Sequence, residues 1–451
     1  MIRTIARYGV RHIPGSTWTA LKALARGDGV RGPAIREFEN RFAGYHGVHQ
    51  AVSASYGRMA FYYILRALEI PGGSEIIFPA LTFWVVPEMA RILGFRPIFV
   101  DIDPLTFNLD PAKFERAITP TTRAVVPTHL YGQPCDMDPI MSIAAAHRLV
   151  VIEDCAHALG ATYKGRKVGT FGEAAFFSFQ MLKPLNSYGG GMAITNKPEL
   201  AGRIRLQAEA EPWPSAKDIW RKVLLGNLQR KLIGPYGFTF SMFLAFYIAS
   251  LFGDYDLSRY LWEKIRPLDP LPESYRKRYT NAQALLGLAM LEEIDRLNAV
   301  NRKHAEKLTA GLNGIDAIRT PPAYPETSPV YYQYCIRASD PAALKHYAIR
   351  RGIDVEIMHV DICNKLDLFG PGQTPCSVAE ATEHTVQLPV YTGLKDRDLD
   401  RIVRVIRQAV HPPVPLSPAT ERRAQEEPPG QSAPTRPGHQ MPRATRAPAT
   451  G

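Results

Sequence analysis

Lys183 follows a strand-like run ending at Ser178 and precedes three consecutive glycines, Gly189 to Gly191. Upstream, the apolar run Val150-Val151-Ile152 ends on Glu153-Asp154. A lysine whose ammonium burial disfavours, with an acid at a strand end, suits an aldehyde cofactor held as a Schiff base. Pyridoxal phosphate (PLP) is the leading candidate, and Asp154 would keep its pyridine nitrogen protonated. Its phosphate needs hydroxyls, backbone N–H groups and a helix N-terminus. Ser178 offers the hydroxyl. The turn Ser53-Ala54-Ser55-Tyr56-Gly57-Arg58 leads into a helical-looking stretch, Met59 to Leu68. There Gly57 permits close backbone approach and Arg58 can pair with a phosphate oxygen.

Each feature has a plainer reading when taken alone. A lysine is most often a solvated charge, an acid at a strand end can cap a helix, and a glycine run is often a turn. Their order, with strands around them, favours the cofactor.

The elements that must position these groups are legible as alternation. From about 50 to 200, strand-like runs such as Ser74 to Pro79, Pro97 to Asp101 and Arg123 to Pro127 alternate with helix-like runs. Such alternation predicts an α/β fold with a mainly parallel sheet flanked by helices. Ligands bind at the carboxyl ends of such strands, where Asp154 falls. Residues 1–30 read as an N-terminal arm with a short helix. Asn281 to Leu312 reads as one long helix. Residues from about 314 to 411 read as a smaller α+β domain, with a strand near Val330 to Arg337 and a final helix from Asp396 to Ala409. Residues 412–451 are rich in Pro, Arg and Ala and are expected to be disordered. There are no internal repeats.

With 451 residues, 45% of them hydrophobic, the chain can build a large core. Its net charge of +11 suits anionic lipid or a phosphorylated substrate. No nucleic-acid-binding motif accompanies the charge. The five cysteines, Cys135, Cys155, Cys335, Cys363 and Cys376, lack metal-site spacing and suit a reducing cytosol; no metal is expected. The segment Met1 to His12 is basic but is not followed by the continuous apolar stretch of a signal peptide. A cytoplasmic protein is the expectation.

Further along, ordered motifs carry a resemblance. They are Arg31-Gly32-Pro33 with Phe38-Glu39, Pro79-Ala80-Leu81-Thr82-Phe83, Phe99-Val100-Asp101-Ile102-Asp103, Pro127 to Pro134, and Ile152-Glu153-Asp154. Next come Gly160-Ala161, Val168 to Gly172, Ser178-Phe179 with Lys183, Gln283 to Gly287, and Leu388-Pro389-Val390-Tyr391. Over about residues 28 to 410 the chain resembles the DegT/DnrJ/EryC1/StrS aminotransferases. These are PLP-dependent enzymes of fold type I that act mainly on nucleotide-linked keto-sugars. The resemblance implies a large PLP-binding domain over 31–280, a linking helix and small domain over 281–411, and a homodimer whose sites draw on both subunits. It implies Lys183 as the Schiff-base lysine and proton shuttle, and Asp154 on the pyridinium nitrogen. His157 would bond the ring hydroxyl. Ala156 would pack on one ring face and Phe83 on the other, with Trp84 the fallback. Ser178 and Gly57 would lie at the phosphate. His359 falls in a stretch that reaches the sugar in relatives. The donor is often glutamate there, and the acceptor a keto-sugar on its way to polysaccharide or secondary metabolites.

Several positions depart from that pattern. Arg58 stands where a threonine hydroxyl is usual, and Arg276 where an asparagine reaches the neighbouring subunit's phosphate. The acid common in the glycine run is missing. An insertion over about 205–272 carries the basic pairs Arg221-Lys222 and Arg230-Lys231 and an uncharged run, Phe238 to Phe252. That run is shorter than the ~20 residues a membrane span needs. It fits a peripheral membrane contact, a buried helix or a dimer interface, and membrane contact would open the way to a lipid-linked acceptor. Two rival activities remain. One is a PLP-dependent sugar dehydratase, which commonly carries histidine at the Lys183 position. The other is a non-catalytic binding or regulatory protein on the same fold.

Overall fold

A computed structural model describes residues 4–251, 263–322, 324–357 and 360–410. Seven strands form the central sheet: β1 (Gln50–Ala54), β2 (Glu75–Pro79), β3 (Arg96–Val100), β4 (Thr122–Val125), β5 (Val150–Asp154), β6 (Ala174–Ser178) and β7 (Gly191–Thr195). Their spatial order is β1-β7-β6-β5-β4-β2-β3. Pairing is parallel from β6 through β5, β4 and β2 to β3, and β7 runs antiparallel to both β6 and β1. The expected mainly parallel sheet is therefore present, with one strand reversed.

Both faces of the sheet are covered, which is why its strands read as apolar runs rather than as alternation. Successive side chains still point to opposite faces. Phe176 joins the core of Phe61 and Phe78, on the side of the Gly57–Ala67 helix. Its neighbour Phe177 joins Phe38, Phe42 and Phe179 on the other side. Ile77, next to Phe78, packs with Val125 and Val151 in a third cluster.

The smaller sheet is antiparallel and holds β8 (Ile318–Arg319), β9 (Tyr334–Ala338), β10 (Glu356–Ile357) and β11 (Thr385–Leu388), in the order β8-β9-β11-β10. The helix Asp396–Val410 closes over it with Leu399, Ile402 and Ile406 buried. The N-terminal arm belongs to this core. Ile5 is 1% exposed and bridges to Ile353, and Arg7 pairs with Asp354 at 2.7 Å and Glu356 at 2.9 Å.

Two expectations need correction. Asn281 to Leu312 is two helices, Asn281–Glu292 and Ile294–Leu312, interrupted at Glu293 (φ −102°, ψ 0°). The first is buried among the large-domain helices Ser16–Arg26 and Ala34–His46, whereas the second packs on the final helix. The break falls where the chain passes from one packing partner to the other. The run Phe238 to Phe252 is likewise broken, into Pro235–Phe240 and Met242–Leu251 with Ser241 between. Among the described residues, no helix is long and apolar enough to cross a membrane. Residues 411–451, expected to be disordered, lie outside the described residues.

Phe177→Ala should cost about 3–5 kcal/mol through the cavity it leaves. Leu206→Ala, at a side chain 74% exposed, should stay within about 0.5 kcal/mol of wild type. Denaturant midpoints of the two variants check the contrast.

Candidate active site

β5 delivers Asp154 and β6 delivers Ser178 at neighbouring parallel strand ends. The Asp154 carboxylate accepts the Ala156 N–H at 2.9 Å. Burial pushes its pKa up, against the pull of that N–H and of the Lys183 charge. Lys183 lies in the loop between β6 and β7. The loop closes on itself through Phe179 N–H to Gly190 O (2.9 Å), Gly189 N–H to Phe179 O (3.0 Å) and Lys183 N–H to Gln180 O (2.9 Å). Burial lowers the Lys183 pKa, Asp154 opposes the shift, and the nearby positive charge of Arg58 adds to it.

The first turn of the Gly57–Ala67 helix meets these strand ends. A Cβ on Gly57 would come within 2.9 Å of both Phe177 O and Ser178 Cβ, so only glycine allows the approach. Gly191 is equally confined, since its Cβ would fall 2.4 Å from the Gly57 nitrogen. The open N–H groups of the helix and the Ser178 hydroxyl thus form one corner suited to an anion.

Arg58 sits at that corner, but its charge is already matched. Both terminal nitrogens donate to Glu263 at 2.8 Å, and one also donates to the Tyr275 hydroxyl. The guanidinium lies 5.5 Å from the centre of the Phe83 ring. Phe83 is 37% exposed whereas Trp84 is 1% exposed. The accessible aromatic is therefore Phe83, and the Trp84 fallback falls away. Ala156, two residues after Asp154, is half-buried. His157 accepts the Tyr131 N–H on Nδ1 at 3.3 Å, which leaves its proton on Nε2. Its ring packs against Tyr332, with centroids 4.4 Å apart.

Lys183, Asp154, His157, Ser178, Gly57, Arg58, Phe83 and Ala156 thus belong to one neighbourhood. Arg276 is turned elsewhere; its guanidinium is 59% exposed and pairs with Glu211 at 3.3 Å. His359 lies outside the described residues. The sequence reading missed Glu263, Tyr275 and Tyr332. The Lys183 ammonium is 5.0 Å from the Tyr332 ring centre. The doublet Tyr331-Tyr332, inside the expected strand and just ahead of the observed one, was the only sequence signal for it.

One further cluster, His129, Glu153 and Cys155, has metal-like spacing. Glu153 accepts N–H groups from Gly169 (2.7 Å), Phe171 (2.7 Å) and Gly172 (2.8 Å), and pairs with His129 Nε2 at 3.1 Å. Those bonds tie the loop before β6 to β5, a structural role.

The DegT/DnrJ/EryC1/StrS aminotransferase family pattern matches residues 17–230 and 254–407. The chain belongs to that family. It is an aminotransferase of fold type I, and its cofactor is PLP. Residues 231–253 fall outside the match, inside the expected insertion over 205–272. GDP-perosamine synthase of Caulobacter vibrioides is 32% identical over 390 residues, covering 84% of this chain and 91% of that protein. UDP-N-acetyl-3-dehydro-alpha-D-glucosamine 3-aminotransferase of Acidithiobacillus ferrooxidans is 30% identical over 385 residues, covering 85% and 90%. Among solved structures, DesV of S. venezuelae in complex with a ketimine intermediate matches with a TM-score of 0.69 and 27% identity, covering 87% and 94%. The site fits PLP on its own chemistry: an amine beside a buried acid, and a corner at Gly57 that even a Cβ would fill.

The depressed Lys183 pKa has a readable sign. Burial penalises the ammonium, so the neutral amine forms below the ordinary lysine value of ~10.5. An amine-specific label applied to cofactor-free protein should modify Lys183 at lower pH than surface lysines, as mass spectrometry of the peptides would show. Identical pH profiles would refute the assignment.

Proposed function

We propose that this aminotransferase moves an amino group from an amino acid, glutamate in the first instance, to a nucleotide-linked keto-sugar that feeds polysaccharide synthesis. The observation that carries the reading is the buried pair of Asp154, at the end of β5, and Lys183, in the loop after β6, in a chain with full-length relatives named for amino-sugar nucleotides. When bound, PLP supplies an electron sink for the carbon that gains or loses the amine.

The remaining work falls to this chain's residues. Lys183 tethers the cofactor and carries the proton to and from the reacting carbon, a task its depressed pKa suits. Asp154, kept ionic by the Ala156 N–H and a cationic partner, holds the pyridine nitrogen protonated. His157 would donate through Nε2 to the ring hydroxyl. Phe83 and Ala156 would cover the two ring faces. Ser178 and the helix N-terminus at Gly57 would hold the phosphate, with Arg58 beside them. His359 would face the sugar. The chain acts as a homodimer, and exposed Arg276 would exchange its Glu211 partner for a phosphate in the neighbouring subunit's site.

The protein is taken to be cytoplasmic, with a peripheral contact at the inner face of the membrane through residues 238–252. Leu224, Leu225, Leu228 and Leu232 on the Ala216–Ile233 helix are 42–51% exposed, and Phe240, Leu244, Ile248 and Leu251 are 46–69% exposed. Between Asp218 and Asp254 the sequence holds no acid, while Arg221 and Lys231 are exposed. An apolar surface on a segment that carries cations and no acid suits anionic lipid, and pairing it with its own copy would bring like charges together.

The catalytic reading is tested with glutamate and a nucleotide-linked keto-sugar. Wild type should release 2-oxoglutarate, and Lys183→Ala should fall by at least ~10²–10⁴-fold. Wild type that takes up PLP yet converts no keto-sugar would sink the acceptor class. The membrane reading predicts co-sedimentation with anionic but not neutral vesicles, lost on Leu228→Gln with Leu244→Gln. Binding indifferent to both changes would remove it, as would a dimer falling to monomer.

A further inference from the structure

The Ala216–Ile233 helix buries Ile219, Val223 and Gly226 against the body of the large domain, and Lys222 shares that inward face. Ile219 and Val223 pack with Tyr188, Ala282 and Leu286. Gly226 lets the helix come close, since its Cβ would lie 2.4 Å from the Tyr188 ring. Lys222 was expected to belong with the basic surface. It points instead at the phosphate corner: its ammonium is 5.6 Å from the Tyr56 ring centre, and a Cβ on Gly189 would lie 3.4 Å from its Nζ. Tyr56 is the residue immediately before the Gly57–Ala67 helix, it bridges to Gly190, and the Arg58 guanidinium also lies 5.6 Å from its ring centre.

The charges around this corner are unevenly matched. Arg58 is held by Glu263. Among the described residues, no carboxylate lies within 4.0 Å of Lys222; Asp218, one turn earlier on its helix, acts on it only at longer range. Burying an unmatched ammonium is unfavourable and lowers its pKa. A dianion arriving at the corner would remove that cost. We propose that Lys222 is a phosphate-binding residue of this active site, reaching it from the long segment between Asn196 and Arg276. This inference rests on the aminotransferase reading for its two phosphate sources: the cofactor's monophosphate and the diphosphate of a nucleotide-linked acceptor.

The test compares Lys222→Met, which keeps the packing stem, with Lys222→Arg, which keeps the charge. Affinities for PLP, for pyridoxal lacking the phosphate, and for GDP and UDP are measured by absorbance and calorimetric titration. Lys222→Met should weaken a phosphate-bearing ligand by about 10- to 100-fold, Lys222→Arg by only a few-fold, and pyridoxal should bind wild type and both variants alike. A shift confined to PLP assigns the cofactor phosphate, and one confined to the nucleotides assigns the acceptor. Unchanged affinities for all phosphate ligands would overturn the proposal, as would an equal loss for pyridoxal with a lowered melting temperature. A wild type that aminates no keto-sugar, yet loses phosphate affinity on Lys222→Met, would sink the sugar reading and leave Lys222 assigned.

Discussion

The site depends on keeping a carboxylate ionic at the buried end of a strand. Isolated burial would drive Asp154 to its neutral form. Two features oppose that: the Ala156 N–H pointed back at Oδ1, and the positive charge of Lys183 across the site. The arrangement is reciprocal, because the same acid stabilises the ammonium that burial disfavours. Neither residue is well accommodated alone, so the parallel register of β5 and β6, which sets their strand ends side by side, is a condition of both.

That register has to be enforced from both faces of the sheet. Phe176 and Phe177 anchor β6 in opposite cores, and the Glu153 carboxylate, facing away from Asp154, gathers three N–H groups from the loop that precedes β6. Adjacent acids on one strand therefore do different work. Glu153 fixes the position of β6 against β5, and Asp154 uses that position.

The strands, the lysine, the acid and Ser178 were legible because each signal is local: an apolar run, a terminal polar residue, a glycine. The partners of Arg58 were not, since Glu263 lies 205 residues away with no periodicity linking the two. Tyr332 was hidden for the same reason. The break at Glu293 escaped notice because Leu291-Glu292-Glu293-Ile294 contains neither Gly nor Pro, and tertiary packing rather than propensity ends the helix there. The Arg221-Lys222 pair read as one basic patch, although neighbours on a helix point about 100° apart and only one of them faces solvent.

This last geometry gives the Ala216–Ile233 helix two roles at once. Its outer face presents Leu224, Leu225 and Leu228 to the surroundings, and its inner face carries Lys222 to the phosphate corner. A hydrogen-bonded helix moves as a unit, so whatever covers the leucines also bears on where the ammonium sits. Glu263 extends the link: it lies in the same long segment, beyond the stretch outside the family pattern, and it holds the other cation at the corner. The segment thus reaches the anion site at both ends, once by adding a charge and once by neutralising one. Lys222 and Glu263, one on each side of the stretch that falls outside the family pattern, together set the charge of the phosphate corner.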